Sequence, residues 1–182
     1  MKFKLLEHPF YQKWSTGEIT DNQLTDYAHS YFDFINMIPA YWARALGGLG
    51  VTDAESRKII NEEREHAELW KEFMKRYKCV IFKGLDDINE AFGTMNPSEL
   101  LGAIHAFEIQ QPEVAKSKIA GLKKFYGFKD KETEYFDRHL EEAEHIIFGN
   151  KIADAYADRS DFERGFQRGS ELVYFALDRF LN

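Results

Sequence analysis

The stretch HAFEIQQPEVAKSKIAGLKKFYG, residues 105–127, carries the strongest structural and chemical signals of the sequence. Its apolar residues recur at helical spacing, and Glu108 falls on the same side of the predicted helix as they do. A carboxylate in a core is costly unless it is paired, hydrogen-bonded or bound to a metal. Pro112 removes the backbone hydrogen bond to the carbonyl of Glu108, because proline has no N–H. The sequence therefore predicts a buried carboxylate beside a helix defect, explained either by a metal or by a Lys or Arg partner on another helix.

The composition limits the classes of protein to which this chain can belong. The 182 residues suffice for one ordinary domain, which we expect to span residues 1–182. A net charge of −7 without a basic run disfavours nucleic acid as a partner. No run approaches the roughly 18–20 apolar residues of a membrane span, and the N-terminus lacks a signal peptide. The single cysteine, Cys79, excludes an internal disulfide and is typical of a reducing cytoplasm, where we expect the protein to reside.

Helix signals dominate the chain, so the sequence predicts an all-α protein. Prolines are few, and no segment alternates between apolar and polar residues as a half-buried strand does. Capping signals at Thr20–Gln23, Thr52–Glu55, Asn96–Glu99 and Ser160–Glu163 mark four helix starts. Short connections predict a compact bundle of about six or seven helices. The expected helices span about 3–15, 20–46, 52–77, 96–127, 131–148 and 161–181, with a short one near 87–92 and a break at Gly149 before 151–157.

Two Glu-x-x-His motifs, Glu63–His66 and Glu142–His145, lie on separate predicted helices. Residues three apart share one helical face, so a carboxylate oxygen and an imidazole nitrogen can reach one ion. Helical bundles that bind two metals use this motif together with carboxylates from other helices. Mixed carboxylate and imidazole ligands suit iron or manganese. Together with Glu108, the two motifs predict a dinuclear metal site, which a single motif would not.

The ligand choice within these helices has two open points. Glu62 lies four residues before His66 and can replace Glu63 as the ligand. His139 is a further candidate, but it and His145 are about 120° apart around a regular helix. Either that helix is locally distorted, as π-bulges are at functional sites, or one of the two histidines is not a ligand.

Several motifs resemble the heme-oxygenase-like superfamily that includes the TenA and PqqC proteins. The first helices show this through His8-Pro9-Phe10-Tyr11, Trp14 and Gly17-Glu18-Ile19-Thr20. Three further motifs resemble the diiron oxidase and oxygenase branch, and within it the CADD-like p-aminobenzoate synthases. They are His66-x-Glu68-Leu69-Trp70, Glu108-x-Gln110-x-Pro112 and Lys118-x-x-Gly121-Leu122.

The resemblance implies an O2-activating oxidoreductase with two non-heme metal ions, either two irons or an iron and a manganese. It implies that Tyr11 is the precursor of the p-aminobenzoate ring and Lys118 the nitrogen donor, with Tyr27 as a further active-site tyrosine. The partners would be O2 and either a small organic substrate or these side chains themselves. The metal ligands implied by the resemblance are Glu63, His66, Glu108, His139, Glu142 and His145.

The sequence departs from the pattern of this branch in two places. The third metal helix of the family reads His-x-x-x-Asp-x-x-His, whereas here Glu142 replaces the Asp and the spacing from His139 is one residue shorter. Anchored on His145, the family spacing places the first histidine at Arg138 instead. The second departure is a shorter segment before His66, which keeps both Glu62 and Glu63 as candidates.

Three alternatives keep the fold and change the function. A PqqC-like cofactor-free oxidase needs a cationic pocket for a polyacid substrate, and the sequence shows no such cluster. A TenA-like thiamin-degrading hydrolase needs a cysteine nucleophile, for which Cys79 is the sole candidate. The third is a non-catalytic interaction protein. A homodimer is expected in each case, because two-fold symmetry is the commonest arrangement.

Overall fold

A computed structural model describes residues 1–78, 84–140 and 143–181, and these residues form helices without any strand. The all-α prediction is confirmed. The described residues contain nine α-helices, more than the predicted six or seven, because predicted helices are divided. They are α1 (Pro9–Thr16), α2 (Asp21–Gly48), α3 (Ala54–Met74), α4 (Asp86–Thr94), α5 (Pro97–Glu108), α6 (Gln111–Phe125), α7 (Glu134–His139), α8 (Ala143–Tyr156) and α9 (Arg159–Ala176), with 3-10 turns at Leu5–Glu7, Asp130–Glu132 and Leu177–Phe180.

Of the four helix starts with capping signals, those at Thr20 and Asn96 are confirmed, whereas α3 is capped by Asp53 instead of Thr52 and α9 by Asp158 instead of Ser160. The Thr20 side chain accepts from the backbone N–H of Gln23, and the Gln23 side chain accepts from the backbone N–H of Thr20. Asn96 and Glu99 form the same reciprocal pair at the start of α5. Each pair satisfies N–H groups that have no partner inside the helix. The first turns of α2 and α5 are thus fixed by local sequence.

The predicted continuous helix over 96–127 is wrong, because α5 ends at Glu108 and α6 begins at Gln111. Pro112 lies in the first turn of α6, where its missing N–H leaves no intrahelical bond unmade. The defect inferred from Pro112 is therefore a boundary between two helices. Glu108 is consequently the last residue of α5, with its side chain 1% exposed.

The predicted helix over 131–148 is also divided, into α7 and α8. Residues 141 and 142 between them lie outside the described part of the chain. The expected break at Gly149 is wrong, since α8 continues through it. A Cβ at Gly149 would lie 2.6 Å from Nδ1 of His105, so this glycine allows α8 to pack closely on α5.

Helix α5 is the centre of the bundle, and every residue from Leu100 to Glu108 is buried. It packs against α9, α2 and α8. Glycines allow the backbones of α5 and α9 to touch. A Cβ added at Gly102 would lie 2.1 Å from the carbonyl oxygen of Phe162, and one added at Gly165 would lie 1.9 Å from that of Glu99. This close packing seals one side of α5, so its polar residue Glu108 faces the other helices. None of the described helices has the length and apolar character needed to cross a membrane.

Replacing Gly165 with alanine should destabilise the protein, because the new methyl group meets backbone atoms that cannot move aside. We expect a loss of about 1–3 kcal/mol in the free energy of unfolding, the usual cost of overpacking. Gly47→Ala is the matched control, because Gly47 is helical and a Cβ there meets no atom within 4 Å. It should stabilise by up to about 1 kcal/mol, the difference in helix propensity. Urea unfolding of both variants measures this, and equal effects would contradict the close α5–α9 packing.

Candidate metal centre and adjoining lysine site

Glu63 of α3, Glu108 of α5 and His145 of α8 meet inside the bundle and are called here the carboxylate–histidine group. One potential ligand atom from each lies within 4.8 Å of the others, and all three residues are buried. Glu63 Oε1 is 2.8 Å from Nδ1 of His145, and that nitrogen is 4.0 Å from Glu108 Oε2. Three helices distant in sequence therefore direct oxygen and nitrogen donors to one point.

The two candidate glutamates of α3 have different surroundings. Glu63 is 5% exposed and faces the interior, where its Oε1 is also 3.7 Å from Nδ1 of His66. The Glu62 side chain is 32% exposed and reaches the other ring nitrogen of His145, with 3.3 Å between Oε2 and Nε2. The structure thus brings Glu63 into the interior group and places Glu62 outside it.

Both His139 and His145 lie beside His66. The ring centroids of His66 and His139 are 4.7 Å apart, and those of His66 and His145 are 5.8 Å apart. Because α7 ends at His139 and α8 starts at Ala143, the 120° separation expected on one regular helix does not apply. The family spacing that pointed to Arg138 is not what the structure shows, since that side chain is 64% exposed and pairs with Glu134.

The protonation of His139 is set by the backbone. Its Nδ1 is 2.6 Å from the carbonyl oxygen of Tyr135, and a carbonyl can only accept, so Nδ1 carries the proton. The lone pair of the neutral ring is then on Nε2. Burial and the nearby His66 charge lower the pKa of His139 to about 3, which keeps this imidazole neutral. The sixth predicted ligand, Glu142, lies outside the described residues.

The two buried carboxylates are held in different protonation states. Burial and, to a smaller extent, the charge of Glu63 raise the pKa of Glu108 to about 8. Burial also acts to raise the pKa of Glu63, but its interactions with the His145 and His66 rings outweigh this effect and bring that pKa to about 2. In the absence of a cation, one carboxylate is therefore charged and its neighbour protonated at neutral pH.

These residues fit a metal ion better than the plain alternative of a paired core glutamate. Among the described residues, Glu108 forms no ion pair with Lys or Arg, and its contacts are His145 and a 3.4 Å hydrogen bond from Trp42 Nε1. Glu63 Oε1 is buried without a hydrogen bond of good geometry. Clustered carboxylates with neutral imidazoles are the donor set that iron and manganese take in proteins. A cavity of about 710 Å³ leads from the surface to His66 and His145.

Lys118 of α6 lies in an aromatic cage next to this centre. Lys118 is 1% exposed, and it donates a hydrogen bond to the hydroxyl of Tyr27. Among the described residues it has no carboxylate partner, and burial lowers the pKa of Lys118 to about 7. Its Nζ lies 5.0–5.6 Å from five ring centroids, those of Tyr11, Tyr27, Tyr31, Trp70 and Phe136, which together are called here the lysine cage.

The lysine cage and the candidate metal ligands lie on the same helices. Trp70 follows His66 by four residues in α3, and Phe136 precedes His139 by three in α7. Residues at these spacings lie one helical turn apart on one face. Tyr31 is a third link between the cage and the candidate metal centre. Its ring stacks on that of Tyr27 with 5.0 Å between centroids, and burial together with the charges of Tyr11 and Glu108 raises its pKa. The cage therefore adjoins the candidate metal centre directly.

The packing of α1 on α6 brings Tyr11 to Lys118. Tyr11 is 1% exposed, and its hydroxyl shares a hydrogen bond with that of Tyr27. Trp14 Nε1 donates to the Lys118 carbonyl oxygen at 3.3 Å. A Cβ at Gly121 would lie 2.6 Å from the Trp14 ring, so this glycine lets the indole reach the α6 backbone. The glycine of the Lys118-x-x-Gly121 motif is thus needed for the contact between Trp14 and α6.

Sequence interpretation missed the roles of Tyr31 and Trp42, which looked like ordinary core aromatics of α2. Tyr31 accompanies Tyr27 at a spacing of four, and this periodicity is the one signal that could have connected it with the site. The Trp42 contact with Glu108 joins residues 66 positions apart and left no local signal. Gln111, at the α5–α6 boundary, is likewise buried, and its side chain offsets part of the rise in the Tyr31 pKa.

Comparison with known proteins identifies the class. Residues 59–174 match the model of a family described as iron-containing redox enzymes, and residues 2–79 match the TENA/THI-4/PQQC family. Three relatives are named 4-aminobenzoate synthase. The one from Chlamydia muridarum is 31% identical, over 97% of this chain and 84% of the relative. Those from Chlamydia trachomatis and Nitrosomonas europaea are 32% and 29% identical, over 98% and 96% of this chain and 87% and 84% of the relatives.

The chain belongs to the family of iron-containing redox enzymes and is therefore an oxidoreductase. The resemblance to TenA and PqqC proteins and to p-aminobenzoate synthases is confirmed. None of these three relatives is named a thiamin-degrading hydrolase or a cofactor-free oxidase, so neither alternative gains support from them. Cys79, on which the hydrolase alternative depended, lies outside the described residues.

Replacing Lys118 with methionine should stabilise the metal-free protein at pH 7. The folded-state pKa of about 7 lies below the ordinary 10.5, so wild-type stability falls as the pH decreases from about 10.5 toward 7. Methionine fills the same space without this cost, and we expect a gain on the order of 2–4 kcal/mol at pH 7 that shrinks toward pH 10. Lys116→Met, at an exposed position of the same helix, should change little. Urea unfolding at pH 7 and pH 10 tests this, and a pH-independent difference would contradict it.

Proposed function

We propose that this protein is a dinuclear non-heme metal enzyme that uses O2 to make 4-aminobenzoate from its own Tyr11 and Lys118. The observation that supports the proposal is the direct adjacency of two buried features. One is the carboxylate–histidine group with its neighbours His66 and His139, and the other is the lysine cage. The names and coverage of the relatives favour the same reaction.

The residues proposed to hold the two metals are Glu63, His66, Glu108, His139, Glu142 and His145. The five of them that the structure describes come from four helices, which is why we treat residues 1–182 as one domain. Iron is favoured by the family, and an iron–manganese pair suits the same ligands. When bound, the metals supply the reducing equivalents and open coordination positions that O2 activation needs. The homodimer and the cytoplasmic location stay predictions.

The chain prepares this site through the protonation states of its own groups. Glu63 is charged and His139 neutral, so both are ready to ligate. Glu108 carries a proton at neutral pH and would lose this proton on binding a cation, because the cation relieves the repulsion from Glu63. The helices around the site exclude water from Glu108, whose side chain is buried. Oxidising reactions are thereby confined to the interior of the bundle.

Lys118 and Tyr11 are proposed as the sources of nitrogen and of the ring. Nitrogen transfer needs an amine with a lone pair, and burial lowers the Lys118 pKa to about 7, so a large fraction is neutral at physiological pH. Tyr27 holds the amine through one hydrogen bond and the Tyr11 hydroxyl through another. Lys118 Nζ is 5.6 Å from the Tyr11 ring centroid. Since the reactants are side chains, each chain would react once.

Metal content tests the first half of the proposal. Protein purified from iron-rich medium should hold about two ions per chain by elemental analysis, the number that such bundle sites take. Glu108→Gln should lower this content, because the amide keeps the shape and the Trp42 contact but loses the anionic ligand. Glu113→Gln, at an exposed position of α6, is the control and should retain the metal. Wild-type protein without metal, even after anaerobic addition of Fe(II), would reject the proposal.

Intact-protein mass tests the second half. After Fe(II), a reductant and O2 are supplied, the mass should change, and peptide mapping should place the change at Tyr11 and Lys118. Tyr11→Phe and Lys118→Met should abolish both the change and 4-aminobenzoate release. Tyr156→Phe, which alters an exposed tyrosine of α8, should react as the wild type does. A metal-loaded protein that stays unmodified while it oxidises added aromatic compounds would contradict self-consumption and leave the metal site standing.

A further inference from the structure

Carboxylates flank both ring nitrogens of His145. On the interior side, Nδ1 is 2.8 Å from Glu63 Oε1 and 4.0 Å from Glu108 Oε2. On the outer side, Nε2 is 3.3 Å from Glu62 Oε2, at hydrogen-bonding distance. His145 itself is 3% exposed, so its ring has a fixed orientation between the two α3 glutamates. Glu62 and Glu63, which are adjacent in α3, thus lie next to opposite nitrogens of the same imidazole.

We infer that Glu62 is a positioning residue that selects the tautomer of His145 and thereby sets the strength of metal binding. The inference rests on the proposed metal site. A neutral imidazole carries one N–H, and an ionised carboxylate can only accept a hydrogen bond. With Glu62 accepting from Nε2–H, the proton that a cation would displace from His145 is the one on Nδ1, so the lone pair offered to the metal would lie on Nδ1, which faces Glu63 and Glu108.

The position of Glu62 suits this role and not that of a ligand. Its side chain is partly exposed and lines the cavity that leads inward from the surface, whereas Glu63 lies behind it in the core. The second oxygen of Glu62 is 3.5 Å from Lys58 Nζ, and Lys58 also pairs with Glu144 of α8. This ion-pair network connects α3 with α8 and holds the Glu62 carboxylate against the outer edge of the ring.

His139 shows the contrasting arrangement. Its Nδ1–H is fixed by the Tyr135 backbone carbonyl one turn earlier in α7, so no side-chain substitution removes that acceptor. With a metal bound, the two histidines beside His66 would therefore have opposite tautomers, with His139 protonated on Nδ1 and His145 on Nε2. Only the tautomer of His145 depends on a replaceable side chain. Removal of such an outer carboxylate usually weakens metal binding about 10–100-fold.

The test is the affinity of wild type, Glu62→Gln and Glu65→Gln for Co²⁺, titrated anaerobically as a spectroscopic substitute for Fe²⁺. Glutamine keeps the size of Glu62, but it is a weaker acceptor and can donate to Nε2, which selects the wrong tautomer. We expect about 10–100-fold weaker binding and an altered visible Co²⁺ spectrum. Glu65 lines the same cavity and loses the same charge on substitution, so Glu65→Gln should bind as the wild type does. The melting temperature of the metal-free Glu62→Gln protein should be unchanged.

A His145→Ala background shows whether Glu62 acts through the imidazole. If it does, adding Glu62→Gln to His145→Ala causes no further loss of Co²⁺ affinity. Glu62→Gln with wild-type affinity, equal losses in both glutamine variants, or an undiminished loss in the His145→Ala background would each overturn the inference while leaving the metal site intact. A wild-type protein that binds neither Co²⁺ nor Fe²⁺ would instead reject the proposed function.

Discussion

The structure depends on the burial of two carboxylates, Glu63 and Glu108, around one histidine. Like charges in a low-dielectric interior repel, and the structure responds by keeping Glu108 protonated and Glu63 ionised beside His145. Holding that arrangement requires α3, α5 and α8 to keep fixed positions. The glycine contacts between α5 and α9 serve this end, because they fix the central helix from its other side. The centre of the bundle thus contains a destabilising repulsion between two carboxylates, which a bound cation would relieve.

Lys118 is a further buried ionisable group whose burial lowers the stability of the folded protein. It is a buried amine whose described surroundings are aromatic rings and one tyrosine hydroxyl, with burial lowering its pKa to about 7. An apolar residue would be more stable there, so the lysine is best explained by chemistry. Functional sites commonly retain such destabilising groups at the expense of stability. Because the lysine cage shares α3 and α7 with the candidate metal ligands, the packing of the same helices positions both destabilising groups.

The sequence predicted the class of fold correctly, and most residues that it singled out for the site lie close together in the structure. Glu63, His66, Glu108, His139 and His145 come together as their motifs indicated, and so do Tyr11, Tyr27 and Lys118. The main errors were helix boundaries. Periodicity on either side of Pro112 continues across the α5–α6 boundary, and a proline fits both a kinked helix and the first turn of a new one. Gly149 looked like a helix end because its packing partner, His105, is distant in sequence.

Sequence by itself determined the helical class, the capped starts of α2 and α5, and the two Glu-x-x-His motifs that point to a metal site, because all of these follow from spacing along one helix. Tertiary structure alone decided which α3 glutamate faces the interior and how both His139 and His145 can approach His66. The physical reason is that burial and convergence depend on neighbouring helices. Glu62 and Glu63 are equivalent by spacing, and they differ only because α8 places His145 between them.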